Sequence, residues 1–262
     1  MSSRLSTLFA VVLLALLGGC STLVSAPAAP ASSAATAQAA WARVLATYVN
    51  ERGEVDFDAL AGDRRDLDRV VRYVADTPLN DLPDEQDRLA HMINAYNALS
   101  MYNVLASGIP ATHAGWNKVS FFFLRRLEVG GQAMSLYSFE NDVIRPFARA
   151  RADPRVHFAL NCSGLSCPVL PRVPFTGKAI DTELERESRA FFTRPENLRV
   201  DPATRTVWFN EILRFYTEDF VPVPARSLVE YANRYVPQPI ARDYAVRFTP
   251  YDWTIANSRR PR

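Results

Sequence analysis

The first apolar run, Leu8 to Leu17, is unbroken but shorter than the about 20 residues a bilayer-spanning helix needs. Arg4 precedes it and Leu17-Gly18-Gly19-Cys20 closes it, so residues 1–19 read as a cleaved export signal, not a transmembrane anchor. From Ser21 to Ala40 the chain is almost entirely Ala, Ser, Pro and Thr. Side chains this small and unpatterned predict a disordered tether over 20–40. Trp41 to Val49 then shows helical spacing. Leu67, Val70, Val71 and Val74 give a clearer amphipathic helix, at i, i+3, i+4, i+7. The longest helix runs from an N-cap at Asp84 through Leu89, Met92, Ile93, Tyr96, Leu99 and Val104 to Gly108 and Pro110. It is apolar on most sides, which predicts a central buried helix.

Downstream, Arg125 to Val129, Gly130-Gly131 and Gln132 to Ser135 predict a hairpin. Ser135 or Ser138 caps a short helix through Ile144, which Pro146 must end or bend. Arg155 to Leu160 reads as a buried strand, and Thr182 to Glu185 has capping-box spacing at the start of a helix. A second hairpin joins Leu198 to Val200 with Thr206 to Phe209. Helices near 211–220 and 227–235 follow, and a strand near 245–249 comes last. The expectation is one helix-rich α+β domain over 41–262 with a small, mostly antiparallel sheet.

Composition narrows the function classes. Thirty basic and 28 acidic residues leave a formal charge of +2, so no nucleic-acid partner is expected. The basic residues are nearly all arginine, with Lys118 and Lys178 the only lysines. The segment ending in Cys20 resembles the lipobox of bacterial lipoproteins, which implies a lipid on Cys20 and a membrane partner reached through it. Ser21 follows in place of the aspartate of an inner-membrane retention signal, so the expected location is the periplasmic face of the outer membrane.

Cys162 and Cys167 are the remaining cysteines. An oxidising compartment favours pairing them; the competing reading makes Cys162 a nucleophile with His157 as base. In a regular strand residues 157 and 162 face opposite ways, so the two meet only if the chain turns before Cys162. All three histidines, His91, His113 and His157, lie upstream of Cys162, which is not the papain or transglutaminase order. No C-x-x-C, H-E-x-x-H, P-loop, G-x-G-x-x-G or G-x-S-x-G pattern occurs, so neither a metal site nor a cofactor is expected. Asn94 and Asn97, three apart on a helix, need partners if buried, either a core polar network or a ligand.

The segment Ile93 to Leu99, the segment His157 to Pro168, Phe215-Tyr216, Asp219-Phe220 and Tyr251-Asp252-Trp253 together resemble the domain-of-unknown-function family 547 over about residues 60 to 257. His91 and Met92 stand where members of that family often carry aromatic residues. The resemblance singles out Glu140 and supplies no reaction. Two readings follow. One is an envelope lipoprotein whose periplasmic domain binds a cell-envelope ligand or partner through residues such as Asn97, Asp252 and Trp253, stapled by Cys162 and Cys167. The other is a thiol-dependent enzyme, acyl-transfer or redox, built from Cys162, His157, Asn94 and Glu140.

Overall fold

The computed structural model describes residues 21–82 and 84–259; the signal read at 1–19 and the lipid acceptor Cys20 lie outside the described residues. The stretch read as a tether is ordered. Thr22–Val24 (β1) pairs in parallel with Arg125–Val129 (β2), and Ala26 N donates to a Glu128 carboxylate oxygen at 2.9 Å. Ser33 then accepts from Thr36 N and caps the helix Ala34–Tyr48 (α1). Alanine is the strongest helix former, and Ala37, Ala40, Trp41 and Val44 fall at helical spacing on the buried face. The small side chains that suggested a tether let α1 approach its neighbour closely, and among the described residues the first element is at Thr22, ahead of Trp41.

Asp56 caps Phe57–Gly62 (α2), and Arg65–Asp76 (α3) buries Leu67, Val70, Val71 and Val74, as their spacing predicts. Helix α3 packs between α1 and the 22-residue Glu85–Ala106 (α4). Asp84 caps α4 by accepting from Asp87 N, and the helix is buried from Leu89 to Val104 on nearly every side. Trp116–Val119 (α5) widens into a π-helical stretch over Ser120–Leu124 and runs into β2. Gln132–Met134 (β3) returns antiparallel through Gly130 and Gly131, both at the positive φ that this two-residue turn requires.

Ser135 caps Leu136–Ser138 (α6), but Pro146 does not end the helix that follows. The chain passes through π turns over Phe139–Ile144 into Arg145–Arg149 (α7). Pro146 sits in the first turn of α7, where its missing N–H costs little. The strand expected at 155–160 is instead the 3-10 helix Pro154–Phe158, started by Asp153 accepting from Arg155 N. A short, largely buried segment fits a strand or a helical turn equally well, and among the described residues no strand lies beside this one. The helix Ile180–Phe192 (α8) begins before Thr182, because a 3-10 turn over Gly177–Ala179 leads straight into it.

Leu198–Asp201 (β4) and Thr206–Asn210 (β5) form the second hairpin, and Ala245–Thr249 (β6) pairs parallel to β5. The fold is therefore α+β, with two three-stranded sheets, each holding one parallel and one antiparallel pairing. Ile212–Phe215 (α9), Thr217–Phe220 (α10) and Leu228–Ala232 (α11) lie between β5 and β6. Two apolar cores result. The larger surrounds α4, and the smaller gathers Phe158, Phe191, Phe192, Phe209, Phe220 and Tyr231 under the second sheet. Among the described residues no helix is long and apolar enough to cross a membrane.

Candidate functional site

At the seam between the two cores a narrow cleft of about 50 Å³ is lined by Tyr96, Glu140, His157, Cys162, Tyr216 and Tyr251 and rimmed by Phe122, Phe215 and Trp253. That is room for a water or a small polar group. Glu140 comes from the π-helical stretch, whose wider turn hands its carbonyl to Arg145 N. Such stretches recur at functional sites because they re-aim side chains within a continuing helix. The Glu140 carboxylate is 6% exposed and accepts from the Tyr96 hydroxyl at 2.9 Å. Burial, and after it the negative charge of Glu140, holds the Tyr96, Tyr216 and Tyr251 phenols above their ordinary range. Three protonated phenols thus surround one carboxylate, and no cationic side chain reaches it among the described residues.

His157, on the 3-10 turn, donates from Nε2 to Asp219 Oδ2 at 2.6 Å and stacks on Tyr216 at 4.1 Å. Burial opposes ionisation of Asp219, but bonds from His157, Arg145 and Arg149 hold its carboxyl well below the usual carboxylate range. Arg145 Nε reaches Asp219 at 2.8 Å, and both arginines also engage Glu218. Because a carboxylate only accepts, Nε2 carries a proton, and the other ring nitrogen faces away from Asp219. That atom, Nδ1, is buried without a hydrogen-bond partner. The arrangement is that of a histidine ring oriented by a carboxylate.

Cys162 and Cys167 form a disulfide, and both sulfurs line the cleft. The Tyr251 hydroxyl donates to Cys167 Sγ at 3.0 Å and lies 3.5 Å from Cys162 Sγ. The loop that carries them is pinned from beneath. Asn97 accepts from Asn161 N and donates to the Ala159 carbonyl, and Asn161 donates to the Pro168 carbonyl and accepts from Ser163 N. His113 Nε2 donates to the Cys162 carbonyl at 2.8 Å.

The residues after β6 fasten the whole. Leu165 N donates to Thr254 O, Ala256 N to Ser163 O and Val55 N to Ala256 O, so this segment bridges the disulfide loop and the turn before α2. Asp252 is exposed and turns back on its own backbone by accepting from Thr254 N. Trp253 packs against Tyr251 and Phe215 at the rim. Lys118 Nζ lies 3.8 Å from the Trp253 ring centroid, and burial, opposed by Glu211, lowers its pKa.

The structure thus brings His157, Cys162, Glu140 and Trp253 to one cleft. Asn97 lies beneath it as a support, Asp252 stands outside it, and Asn94 is elsewhere. Asn94 accepts from Trp41 Nε1 and Phe175 N and donates to the Phe175 carbonyl. It borders a separate, more apolar hollow of about 330 Å³ between α1, α3, α4 and the loop at 175–178. The hollow is larger and is bordered by the unpartnered Nε2 of His91, whereas the cleft gathers a buried carboxylate, a histidine and a disulfide. Sequence reasoning did not assign the phenol of Tyr96 or the Asp219 partner of His157. Asp219 sits 62 positions from His157, and its only signal was membership of a family motif.

Among the described residues no three histidine, cysteine or acidic side chains cluster as metal ligands. No curated protein and no solved structure matches the chain. Residues 79–192, which carry Tyr96, Glu140, His157 and both cleft cysteines, match the model of the family described as "Protein of unknown function, DUF547", and this supports assigning the domain to that family.

Proposed function

We propose that this chain is an envelope lipoprotein, held by lipid on Cys20 at the periplasmic face of the outer membrane, whose domain binds a small cationic group of an envelope ligand in the cleft. The observation that carries the ligand reading is Glu140, buried at the floor with phenol donors and no counter-charge among the described residues. A buried charge needs a partner, and aromatic walls favour an ammonium or guanidinium over an anion. The stacking of Lys118 on Trp253 supports the same reading, since the rim already holds a cation.

The test is a titration of the protein with n-butylammonium and with butyrate, followed by tryptophan emission, with Trp253→Phe as the reporter control. The expected result is saturation by the amine alone, weakened at least about tenfold, or 1.4 kcal/mol, by Glu140→Gln. Equal binding of butyrate, or indifference to Glu140→Gln, would overturn it.

One observation favours the second reading, a thiol enzyme: Nδ1 of His157 is buried and unpartnered, and the His157 side chain lines the same cleft as Cys162. Asn94 drops out of that set on geometry. Alkylation before and after reduction, read by mass, separates the two. Label entering only after reduction leaves a staple. Rapid label at one cysteine without reduction, with a pH dependence well below about 8.5, favours the enzyme.

A further inference from the structure

We infer that the face made by Trp116, Val119, Phe123 and Arg126 rests on the lipid bilayer that anchors the domain. The inference takes its anchor from the lipoprotein reading. Cys20 stands two residues before Thr22, so their Cα atoms are within about 7.6 Å at 3.8 Å per residue. In the β1–β2 register Thr22 is the partner of Arg125, and paired strands lie about 4.8 Å apart. Chain length therefore keeps the attachment point within about 12 Å of Arg125 at the start of β2, directly after Phe123 and Leu124.

That place is where exposed apolar side chains gather. Trp116 is 71% exposed, and Val119 and Phe123 follow on the same side of α5 and its π extension. Phe123 stacks on exposed Tyr137 at 4.6 Å, and exposed Leu23 pairs with Arg126 in β1. Single exposed apolar residues are ordinary, but a contiguous set marks a contact surface.

The charge beside it points to lipid phosphate. Most arginines here pair with carboxylates, yet among the described residues Arg126, on the same side of the strands as Leu23, does not; it donates only to the Ala133 carbonyl. Glu128, the acidic residue of β2, is engaged by Ala26 N. Tryptophan and tyrosine at headgroup depth with arginine toward phosphate is the arrangement of interfacial anchors.

The test uses the full chain with its signal, produced in a bacterium and reconstituted into phosphatidylethanolamine–phosphatidylglycerol vesicles brominated near the headgroup. The mass of the mature protein reports whether Cys20 carries acyl chains. Bromine should lower tryptophan emission by roughly a quarter, the share of one tryptophan in four. Trp116→Phe should abolish that fall, and Arg126→Ser should cut it about twofold. Acylated protein whose emission ignores bromine overturns the inference. If the mass shows no acyl chain, the lipoprotein reading fails, and the same vesicles added to that protein decide the surface. Quenching that depends on Trp116 upholds it, and no quenching overturns it.

Discussion

His113 fills the space beneath the disulfide loop, wholly buried, with its ring 4.0 Å from that of Phe121. Burial, against the bond to the Cys162 carbonyl, pushes its pKa down to about 4, and burial does the same to His91. In the folded protein both rings stay neutral where unfolded histidine takes a proton near pH 6.5. Between about pH 6.5 and 4 the unfolded chain therefore binds more protons, so stability falls as pH falls through that window, with no contribution to the slope above it. For His113 alone the loss is at most about 3 kcal/mol. Urea denaturation at pH 7.5, 6 and 5 should show it. His113→Gln, which keeps a donor for the Cys162 carbonyl, should give a flatter decline. An unchanged slope in that variant would assign the pH response to other groups.

At the level of elements, α4 is the part that other parts are tied to, and its two asparagines tie different things. Asn97 holds the disulfide loop, whereas Asn94 joins α1, α4 and the Phe175 backbone. Asn94→Ala leaves the Phe175 N–H and carbonyl and the Trp41 indole without partners, so it should lower unfolding stability by about 2 to 4 kcal/mol. Because Asn94 lies outside the cleft, n-butylammonium affinity should stay within about twofold of the parent. A change in affinity larger than the change in stability would put Asn94 back in the site. The same helix shows what is legible from sequence. Its Asp84 cap and its buried length follow from local rules, as does the i, i+3, i+4, i+7 stripe of α3. Strand β1 was not legible, since three residues form a strand only by pairing with β2, about a hundred positions away. The Pro154–Phe158 turn was missed because Val156 and Phe158 fit one face of a strand as well as they fit a buried helical turn. In the site, Cys162, His157, Glu140 and Trp253 were identified as residue types. The cage of phenols and the His157–Asp219 pair depend on the path of the chain, which no local spacing records.

Across the whole molecule, two cores share one seam, and residues 251–257 close it. Tyr251 touches both cores, and the residues after it bridge the turn at Val55, the loop at Thr112 and the disulfide loop at Gly164. A chain shortened to end at Pro250 should unfold at lower urea and lose n-butylammonium binding, because the Tyr251 and Trp253 walls go with the missing strap. Retention of full affinity by the shortened chain would remove those walls from the site. The near absence of lysine acts at this scale too. Twenty-eight of the 30 basic residues are arginine, so side-chain primary amines number two, Lys118 and Lys178. The first lies across Trp253 with a lowered pKa, which leaves more of it as free amine than an open lysine has. An acylating dye or cross-linker at mildly alkaline pH thus has few places to go and a chemical preference among them. The ring stack at the cleft mouth makes Lys118 a built-in attachment point for a reporter, with no cysteine to engineer and the disulfide left intact.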